Sequence, residues 1–312
     1  MISRRRLGAL ALSGSLVSSL GSVARAQASS VRIGYQKYGT LVLMKEKGFL
    51  ERILTPKGIS VHWAQFPAGP PMLQAMASGA VDIGQTGDLP PIFAQATMPD
   101  SFVYFGHETR NGSSEAIIVP ENSPIRSVRE LKGKRVAVTH GSDAHWLLLG
   151  ALLRNGLTWQ DIAVSYLLPA AGRPAFEAGT VDAWAIWNPY LTGAGQNVRV
   201  LATGEDVGGG TEFYLARREF VTENRDLLHL VISAIEQCDQ WASGNKAEVA
   251  AILARSTGLD ITVVTASVAR IDYAFHNNSP SMVQSQKRIA QAVVDAGLLP
   301  SVPDIAQAAP TI

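Results

Sequence analysis

The sequence lacks several features that would each define a class of protein. Its 312 residues include a single cysteine, Cys238, which excludes an intrachain disulfide framework and leaves no cysteine near the N-terminus to carry a lipid. Only 17% of the residues are charged and the formal net charge is +1, so no dense basic surface is available for nucleic acid or an anionic membrane. With 46% hydrophobic residues, the chain is too apolar for a disordered protein and suits a globular one.

The first 26 residues contain no acidic side chain and have the three parts of a secretory signal. Three arginines at 4–6 precede an uncharged run at 7–23, and Ala24-Arg25-Ala26 supplies a small-x-small cleavage site. The run is too short and too rich in serine and glycine for a membrane anchor. We therefore expect a signal peptide at 1–26, cleaved on export by the Sec or the Tat route. Without its four arginines, the +1 chain becomes a soluble mature protein of charge −3.

Beyond the signal, the hydrophobic periodicity alternates between strand and helix patterns. The first run begins with a strand at 31–36, one amphipathic helix at 41–54 and a second strand at 59–66. Such alternation predicts an α/β fold in which mainly parallel sheets are flanked by helices. A second run of the same type follows a polar break at 109–114, so we expect two lobes.

The two lobes share a sequence echo and are joined by two crossings. Gly79-Ala80-Val81-Asp82 is echoed by Gly179-Thr180-Val181-Asp182, in each case a glycine that ends a helix and a Val-Asp pair that enters a strand. The glycine-rich stretch 204–210 forms the second crossing. The expected division is 27–110 for the first part of lobe 1, 111–207 for lobe 2, and 208–312 for the return to lobe 1 and the C-terminal helices. Two crossings make a hinge, and the crevice between the lobes is the expected ligand site.

Three predicted helix starts follow the carboxyl ends of strands, where open α/β sheets place their ligands. They lie at 69–71, 87–90 and 141–143. Backbone N–H groups at helix starts bind anions without a buried cation. One such turn alone is better explained as an ordinary N-cap, but three together indicate an anion site. Asp88 and Asp143 oppose this interpretation, because a carboxylate repels an anion unless it caps its own helix or meets a cationic part of the ligand.

Side chains near these starts could complete the site and hold an organic tail. The candidate ligand-binding residues are Gln36, Gly69, Pro70, Thr86, Gly87, Asp88, Gly141, Ser142, Asp143, His145, Trp187, Asn188, Phe213 and Tyr214. Gln36 could instead face solvent, and His145 could instead cover the core. Trp184 and Trp187 project from opposite faces of one strand, so one belongs to the core and we place Trp187 at the crevice.

Enzymatic chemistry has little support in the sequence. No nucleophile elbow, dinucleotide fingerprint or P-loop occurs, and the six histidines show no metal-ligand spacing. We expect no catalytic residue, no metal and no cofactor. Cys238 lies in a predicted helix at 227–241 with apolar residues at core spacing, which indicates a buried structural thiol.

Five segments of the chain, in the same order, resemble the aliphatic-sulfonate-binding proteins of ABC importers, in the nitrate/sulfonate/taurine-binding family. The segments are 33–37, 66–70, 87–96, 130–137 and 181–187. The resemblance implies a type II-like periplasmic binding protein that captures alkanesulfonates and delivers them to a membrane permease for sulfur acquisition. It implies a monomer without chemistry of its own.

Three positions depart from the pattern of that family. Asn188 stands where an aspartate commonly follows the tryptophan, Asp143 stands in a Gly-Ser-Ser-x-His stretch, and Ala171-Gly172 replaces an Asp-Ala pair. Each departure could change how the organic end of the ligand is held. The alternatives are a binding protein for taurine, nitrate or a thiamine precursor, or a desulfinase-like enzyme, which on this fold uses a cysteine nucleophile in the crevice.

Overall fold

The structure is a computed structural model that describes residues 28–311, so the expected signal peptide at 1–26 lies outside the described residues. The strands in chain order are β1 (Ser30–Tyr35), β2 (Ser60–Gln65), β3 (Ile83–Thr86), β4 (Phe102–Glu108), β5 (Glu115–Pro120), β6 (Arg135–Val138), β7 (Ala163–Tyr166), β8 (Ala183–Trp187), β9 (Val198–Thr203), β10 (Phe213–Arg217) and β11 (Phe275–His276).

The α-helices in chain order are α1 (Thr40–Lys47), α2 (Phe49–Leu54), α3 (Gly69–Ala77), α4 (Pro90–Thr97), α5 (Asp143–Arg154), α6 (Pro169–Glu177), α7 (Tyr190–Gly193), α8 (Gly204–Val207), α9 (Arg218–Glu223), α10 (Arg225–Gly244), α11 (Lys246–Thr257), α12 (Ile261–Val268), α13 (Pro280–Asp295) and α14 (Ile305–Ala308). Within residues 28–311, none of them is long and apolar enough to cross a membrane.

Each lobe is built on one mixed sheet, and this confirms the predicted two-lobed α/β class. The first sheet has the order β11-β4-β10-β3-β1-β2 and the second β7-β6-β8-β5-β9. In the first, β1 is parallel to β2 and β3, whereas β10 is antiparallel to β3 and β4. In the second, β6 is parallel to β7 and β8, whereas β5 is antiparallel to β8 and β9.

The sheets are mixed rather than mainly parallel because of the crossings between the lobes. A strand becomes parallel to its neighbour when a crossover segment, usually a helix, returns the chain to the same end of the sheet. The strands β5 and β10 are the first strands after each crossing. They enter from the other lobe rather than by a crossover within one sheet, and each runs antiparallel to its neighbours.

The predicted helix at 41–54 is two helices, α1 and α2, separated by Gly48. Gly48 has φ +65° and its N–H donates to Lys45 O at 3.2 Å, which ends α1. The left-handed conformation at this position favours glycine, which has no Cβ to clash. The apolar periodicity continues across the break, so the sequence pattern alone does not show it.

The Val-Asp echo marks the same ion pair in both lobes. Asp82 accepts hydrogen bonds from the backbone N–H of Arg32 at 3.0 Å and from its guanidinium at 2.6 Å. Asp182 accepts from the backbone N–H of Arg135 at 2.8 Å and from its guanidinium, also at 2.8 Å. Asp82 therefore links the turn before β3 to β1, and Asp182 links the turn before β8 to β6.

The C-terminal helices pack on both lobes. Buried residues of α10, α11 and α12 share one apolar cluster with β1 and α1 of the first lobe. In α13, Met282 packs with Tyr104 of the first lobe, while Ile289 and Val293 belong to the core around Leu147 of the second. The helix α13 is thus a third connection between the lobes, beside the two crossings.

The two crossings pass side by side at very short range. Asn111 N–H donates to Gly210 O at 2.8 Å. A Cβ placed on Gly210, which has φ +89°, would lie 2.6 Å from backbone atoms of Gly112. No side chain fits between the two crossings at this point, so glycine is required at both Gly112 and Gly210.

Replacing Gly210 should show how tightly the hinge is packed. We expect Gly210→Ala to lower the free energy of unfolding by at least about 3 kcal/mol, since alanine adds both an unfavourable φ and a backbone clash. Gly258→Ala is the matched control, because Gly258 has φ +74° but open space around it, and should cost only about 1 kcal/mol. Urea unfolding measures both. Equal costs would mean that the crossings can separate freely.

Candidate functional site

A pocket lies between the lobes, at the two crossings and the end of β1. Among the residues predicted from the sequence, Gln36, Gly87, Asp143, Trp187 and Asn188 line it. It is also lined by residues that the sequence analysis did not select, including Lys37, Tyr38, Gly39, Thr40, Glu108, Asn111, Glu115, Tyr190, Glu212 and Tyr273. The pocket therefore combines one helix start, several aromatic rings and several carboxyl groups.

The helix start that opens onto the pocket is that of α1, which the sequence analysis did not include. The whole segment from Gln36 to Thr40 lines the pocket. The N-cap residue Gly39 makes no side-chain cap, and the first turn of α1 contains no acidic residue. Its N–H groups and the positive end of its dipole are thus available to an anion. The sequence did contain a signal for this site: a glycine between a strand end and a helix start.

The start of α3 is packed against β3 and does not line the pocket. A Cβ on Gly69 would lie 2.0 Å from Thr86 Oγ1, and Thr86 is completely buried. Gly69, Pro70 and Thr86 are therefore placed by helix-to-sheet packing. The neighbouring Phe66 and Pro67 border the pocket instead.

His145 and Ser142 are both buried, and of the two alternatives for His145 this favours the one in which the ring covers the core. His145 packs between Phe93 and Trp159, and its Nδ1 accepts the N–H of Gly141 at 3.1 Å. Burial lowers the pKa of His145 to about 3, so the ring is neutral. The Ser142 hydroxyl donates to Thr139 O at 2.8 Å. These residues, with Gly141, stabilise the first turn of α5.

Phe213 and Tyr214 belong to the core of the first lobe. Phe213 meets Tyr104 edge-on, with ring centroids 5.3 Å apart, and Tyr214 stacks on Phe105 at 5.7 Å. Helices cover the two faces of their strand, β10: Phe213 packs with Leu73 and Met282, and Tyr214 packs with Leu227. Neither ring therefore reaches the pocket.

Trp187 and Asn188 lie at the pocket, whereas Trp184 is 1% exposed and packs in the core. Trp187 meets Tyr190 edge-on at 6.0 Å. Asn188 Nδ2 donates to Ser267 Oγ at 3.0 Å, and the same oxygen lies 2.8 Å from the hydroxyl of Tyr38. Asn188 of the second lobe is thus linked through Ser267 to the first lobe.

Asp88 holds the second crossing in place and does not line the pocket. Its Oδ2 accepts the N–H groups of Gly210 at 2.7 Å and Thr211 at 3.1 Å. Burial and the neighbouring Asp143 raise the pKa of Asp88 to about 7, against the effect of these two N–H donors. Its position explains why a carboxylate follows Gly87: it fixes the hinge.

Asp143 extends from the second lobe to the start of α4 in the first. Its Cγ lies 2.3 Å from where a Cβ on Gly87 would stand, so only glycine allows this approach. Burial raises the pKa of Asp143 to about 7, although the N–H groups of Leu89 and Asp88 act to lower it. The start of α4 thus faces an anion of the protein itself. A sulfonate between 87–90 and 141–143, as predicted from the sequence, would have to compete with the Asp143 carboxyl group for this space.

Glu108, Glu115 and Glu212 bring further carboxyl groups to the pocket. Glu108 Oε1 accepts the Thr40 hydroxyl at 2.8 Å and also the Tyr214 hydroxyl. Burial raises the pKa of Glu115 and of Glu212 well above their usual range, and the nearby Asp143 and Asp88 raise them further. In the sequence these glutamates stand at the ends of strands, where a solvent-exposed acid is common. Nothing local distinguishes them.

The fold and the pocket define a two-lobed protein of the periplasmic binding protein class, with a candidate ligand site at the hinge. The chain belongs to the NMT1-like family, whose model matches residues 24–255. It is 43% identical over 264 residues to an aliphatic sulfonates-binding protein of Escherichia coli (strain K12), covering 83% of this chain and 82% of that one. The resemblance seen in the sequence is therefore confirmed.

Two solved structures show how far the likeness extends. The alkanesulfonate-binding protein SsuA from Xanthomonas axonopodis pv. citri, bound to MOPS, is 37% identical with a TM-score of 0.87, and the match covers 92% of this chain and 100% of that one. The desulfurization enzyme DszB is 16% identical with a TM-score of 0.68, covering 90% of this chain and 96% of that one. The second likeness is one of fold alone.

The buried acids predict how the stability of the ligand-free protein changes with pH. The pKa of Asp88 and of Asp143, about 7 in the folded protein, lies above the value of about 4 in an unfolded chain. Their contribution is therefore complete below about pH 4 and is lost as the pH rises through about 7. We expect the free energy of unfolding to fall by about 1–3 kcal/mol between pH 5 and 8 on this account.

Denaturant unfolding of Asp143→Asn across this range tests the assignment. The variant should be more stable than the wild type at pH 8 and should lose part of the pH dependence. Asp226→Asn, at an exposed position in the first turn of α10, is the control and should leave the slope unchanged. If Asp143→Asn keeps the full slope, the Asp143 carboxylate is not the buried titrating group described above.

Proposed function

We propose that this protein is the substrate-binding component of an ABC importer and that it captures sulfonates in the periplasm. The observation that carries the proposal is the interlobe pocket at the uncapped start of α1, in a chain 43% identical to an aliphatic sulfonates-binding protein. Delivery to a membrane permease, export by a cleaved signal and a monomeric state are parts of the same proposal. They carry over what the sequence analysis expects of this chain.

The sulfonate in this proposal lies at the start of α1. Three acceptor oxygens suit the free N–H groups that follow Gly39, with Gln36 and Lys37 beside them. Gln36 Nε2 lies 3.4 Å from Gln85 O, a long hydrogen bond that a ligand oxygen can replace. The organic part of the ligand then lies against Trp187 and Tyr190.

A binding protein is favoured over an enzyme that uses a cysteine nucleophile because Cys238 does not line the pocket. Cys238 is completely buried in α10 and packs in the apolar cluster of the first lobe. Burial raises the pKa of its thiol, and the neighbouring Asp239 and Glu108 raise it further. A thiol that neither reaches the pocket nor ionises cannot attack a sulfur anion. Within residues 28–311, no group of three His, Cys, Asp or Glu side chains is placed to hold a metal ion.

Binding of butane-1-sulfonate to protein purified without sulfonate buffers tests the proposed function. Calorimetry should give one site per chain, and Trp187→Ala should weaken the binding about tenfold, as expected for the loss of one aromatic contact of about 1–2 kcal/mol. Trp241→Ala is the control, since Trp241 packs against Phe49 on the surface of the first lobe. Absence of binding to every sulfonate, with binding of nitrate or a thiamine precursor instead, would refute the proposal.

Cys238→Ala separates a binding protein from an enzyme. We expect it to leave sulfonate affinity unchanged and to lower the free energy of unfolding by about 1–2 kcal/mol, as a small truncation in the core. Calorimetry and urea unfolding give the two values. Sulfite release from a sulfonate or sulfinate by the wild type, lost in this variant, would place the protein among the enzymes.

A further inference from the structure

The pocket and the residues around it bring together more carboxyl groups than an anionic ligand alone can accommodate. We call Asp88, Glu108, Glu115, Asp143 and Glu212 the acidic cluster. Within residues 28–311, none of these carboxylates makes an ion pair. Few basic side chains lie nearby. Lys37 lines the pocket, and His276 lowers the pKa of Glu108. Arg110 lowers the pKa of Asp88 but is itself paired with Glu205 at 3.3 Å.

Glu115 is the member of the acidic cluster whose carboxyl group has the fewest stabilising contacts. It lines the pocket and is 1% exposed. Both of its carboxylate oxygens lack a hydrogen-bond partner among the described residues. The backbone passes close to Glu115 Oε1. A Cβ placed on Gly204 would lie 2.4 Å from this oxygen, and a Cβ placed on Gly209 would lie 2.7 Å from it. A buried carboxylate without a partner is costly, and a ligand cation would offset that cost.

The side chains that line the pocket suit an organic cation better than a metal ion as the partner of these carboxyl groups. No three acidic side chains among the described residues converge closely enough to coordinate a metal. The pocket is instead wide and partly aromatic, with Tyr38, Trp187, Tyr190 and Tyr273 in its lining. A protonated amine is satisfied by carboxylates on one side and aromatic faces on the other.

We infer that the cargo is an aminosulfonate, whose sulfonate lies at the start of α1 and whose ammonium group lies against Glu115 and Glu212. The inference rests on the proposed function and narrows it to sulfonates that carry a protonated amine. MOPS, which occupies the similar protein from Xanthomonas axonopodis pv. citri, is itself a sulfonate with a basic nitrogen. In this chain the ammonium would stand where Glu115 has no partner.

Two ligands of equal chain length test the inference directly. In 3-aminopropane-1-sulfonate an ammonium group replaces the terminal methyl of butane-1-sulfonate. Calorimetry at pH 7.5 should show that the wild type prefers the aminosulfonate at least about tenfold, the effect expected of a charge-assisted hydrogen bond. Glu115→Gln should bring the two affinities to within about twofold. Glu177→Gln, at an exposed pair with Arg173, removes the same charge and should keep the preference.

A second measurement distinguishes a ligand-binding role from a structural one. Glu115→Gln keeps the side-chain shape and removes a buried carboxyl group whose ionisation no partner compensates, so the ligand-free variant should unfold at a higher temperature than the wild type. A lower unfolding temperature would mean that Glu115 supports the fold and would overturn the inference. Glu212→Gln provides the same comparison of ligands at a less buried position of the acidic cluster.

The outcomes separate the inference from the function on which it rests. Equal wild-type affinities for both ligands would overturn the aminosulfonate and leave sulfonate binding intact. Binding of neither ligand would overturn the proposed function as well. Binding of butylamine as tightly as the aminosulfonate would show that the sulfonate contributes nothing, and would also overturn the inference.

Discussion

The close contact between the two interlobe crossings is the constraint on which the rest of the structure depends. Gly112 and Gly210 meet backbone to backbone, and Asp88 holds the second crossing from the first lobe through two N–H donors. This contact brings the start of β5 and the start of β10 to one place. It thereby sets Glu115 and Glu212 beside the same pocket, although 97 residues separate them in the chain.

The acidic cluster has a cost for the free protein that its other interactions do not offset. Carboxyl groups at this depth lose hydration and repel one another, and the pKa of Asp88 and of Asp143 rises to about 7 as a result. Replacing Asp143 with its neutral amide would therefore give a more stable protein. A site that retains uncompensated charge at the expense of stability is typical of a binding site, because the ligand supplies the missing partner.

The sequence predicted the architecture better than the site, for a physical reason. Periodicity and the Val-Asp echo depend on local spacing, and the two lobes follow from them. The echo also marks the aspartate that the structure pairs with an arginine in each lobe. Trp187 could be placed at the crevice because alternation along one strand separates it from Trp184. Burial of a sheet face is not local: Phe213 and Tyr214 are covered by helices from distant parts of the chain.

The same distinction explains the carboxyl groups. Asp143 stood out in the sequence as a departure from its family, with two possible explanations: a helix cap, or a partner for a cationic part of the ligand. The structure places its carboxylate against Gly87 of the opposite lobe, a contact that exists only once both lobes are folded and close together. Glu108, Glu115 and Glu212 had no such signal, because each is an unremarkable strand-end acid until the crossings bring them together.

Closure of the lobes and the charge of the ligand are therefore coupled. A ligand can shift a protein between open and closed states only by the difference in its interactions with the two. Contacts between the lobes, such as the approach of Asp143 to Asp88, bring like charges together and oppose closure when the carboxylates are ionised. An anion without a positive group would leave this repulsion in place, whereas a zwitterion reduces it on entering. The hinge thus selects for ligand charge through the same acids that make the empty closed state costly.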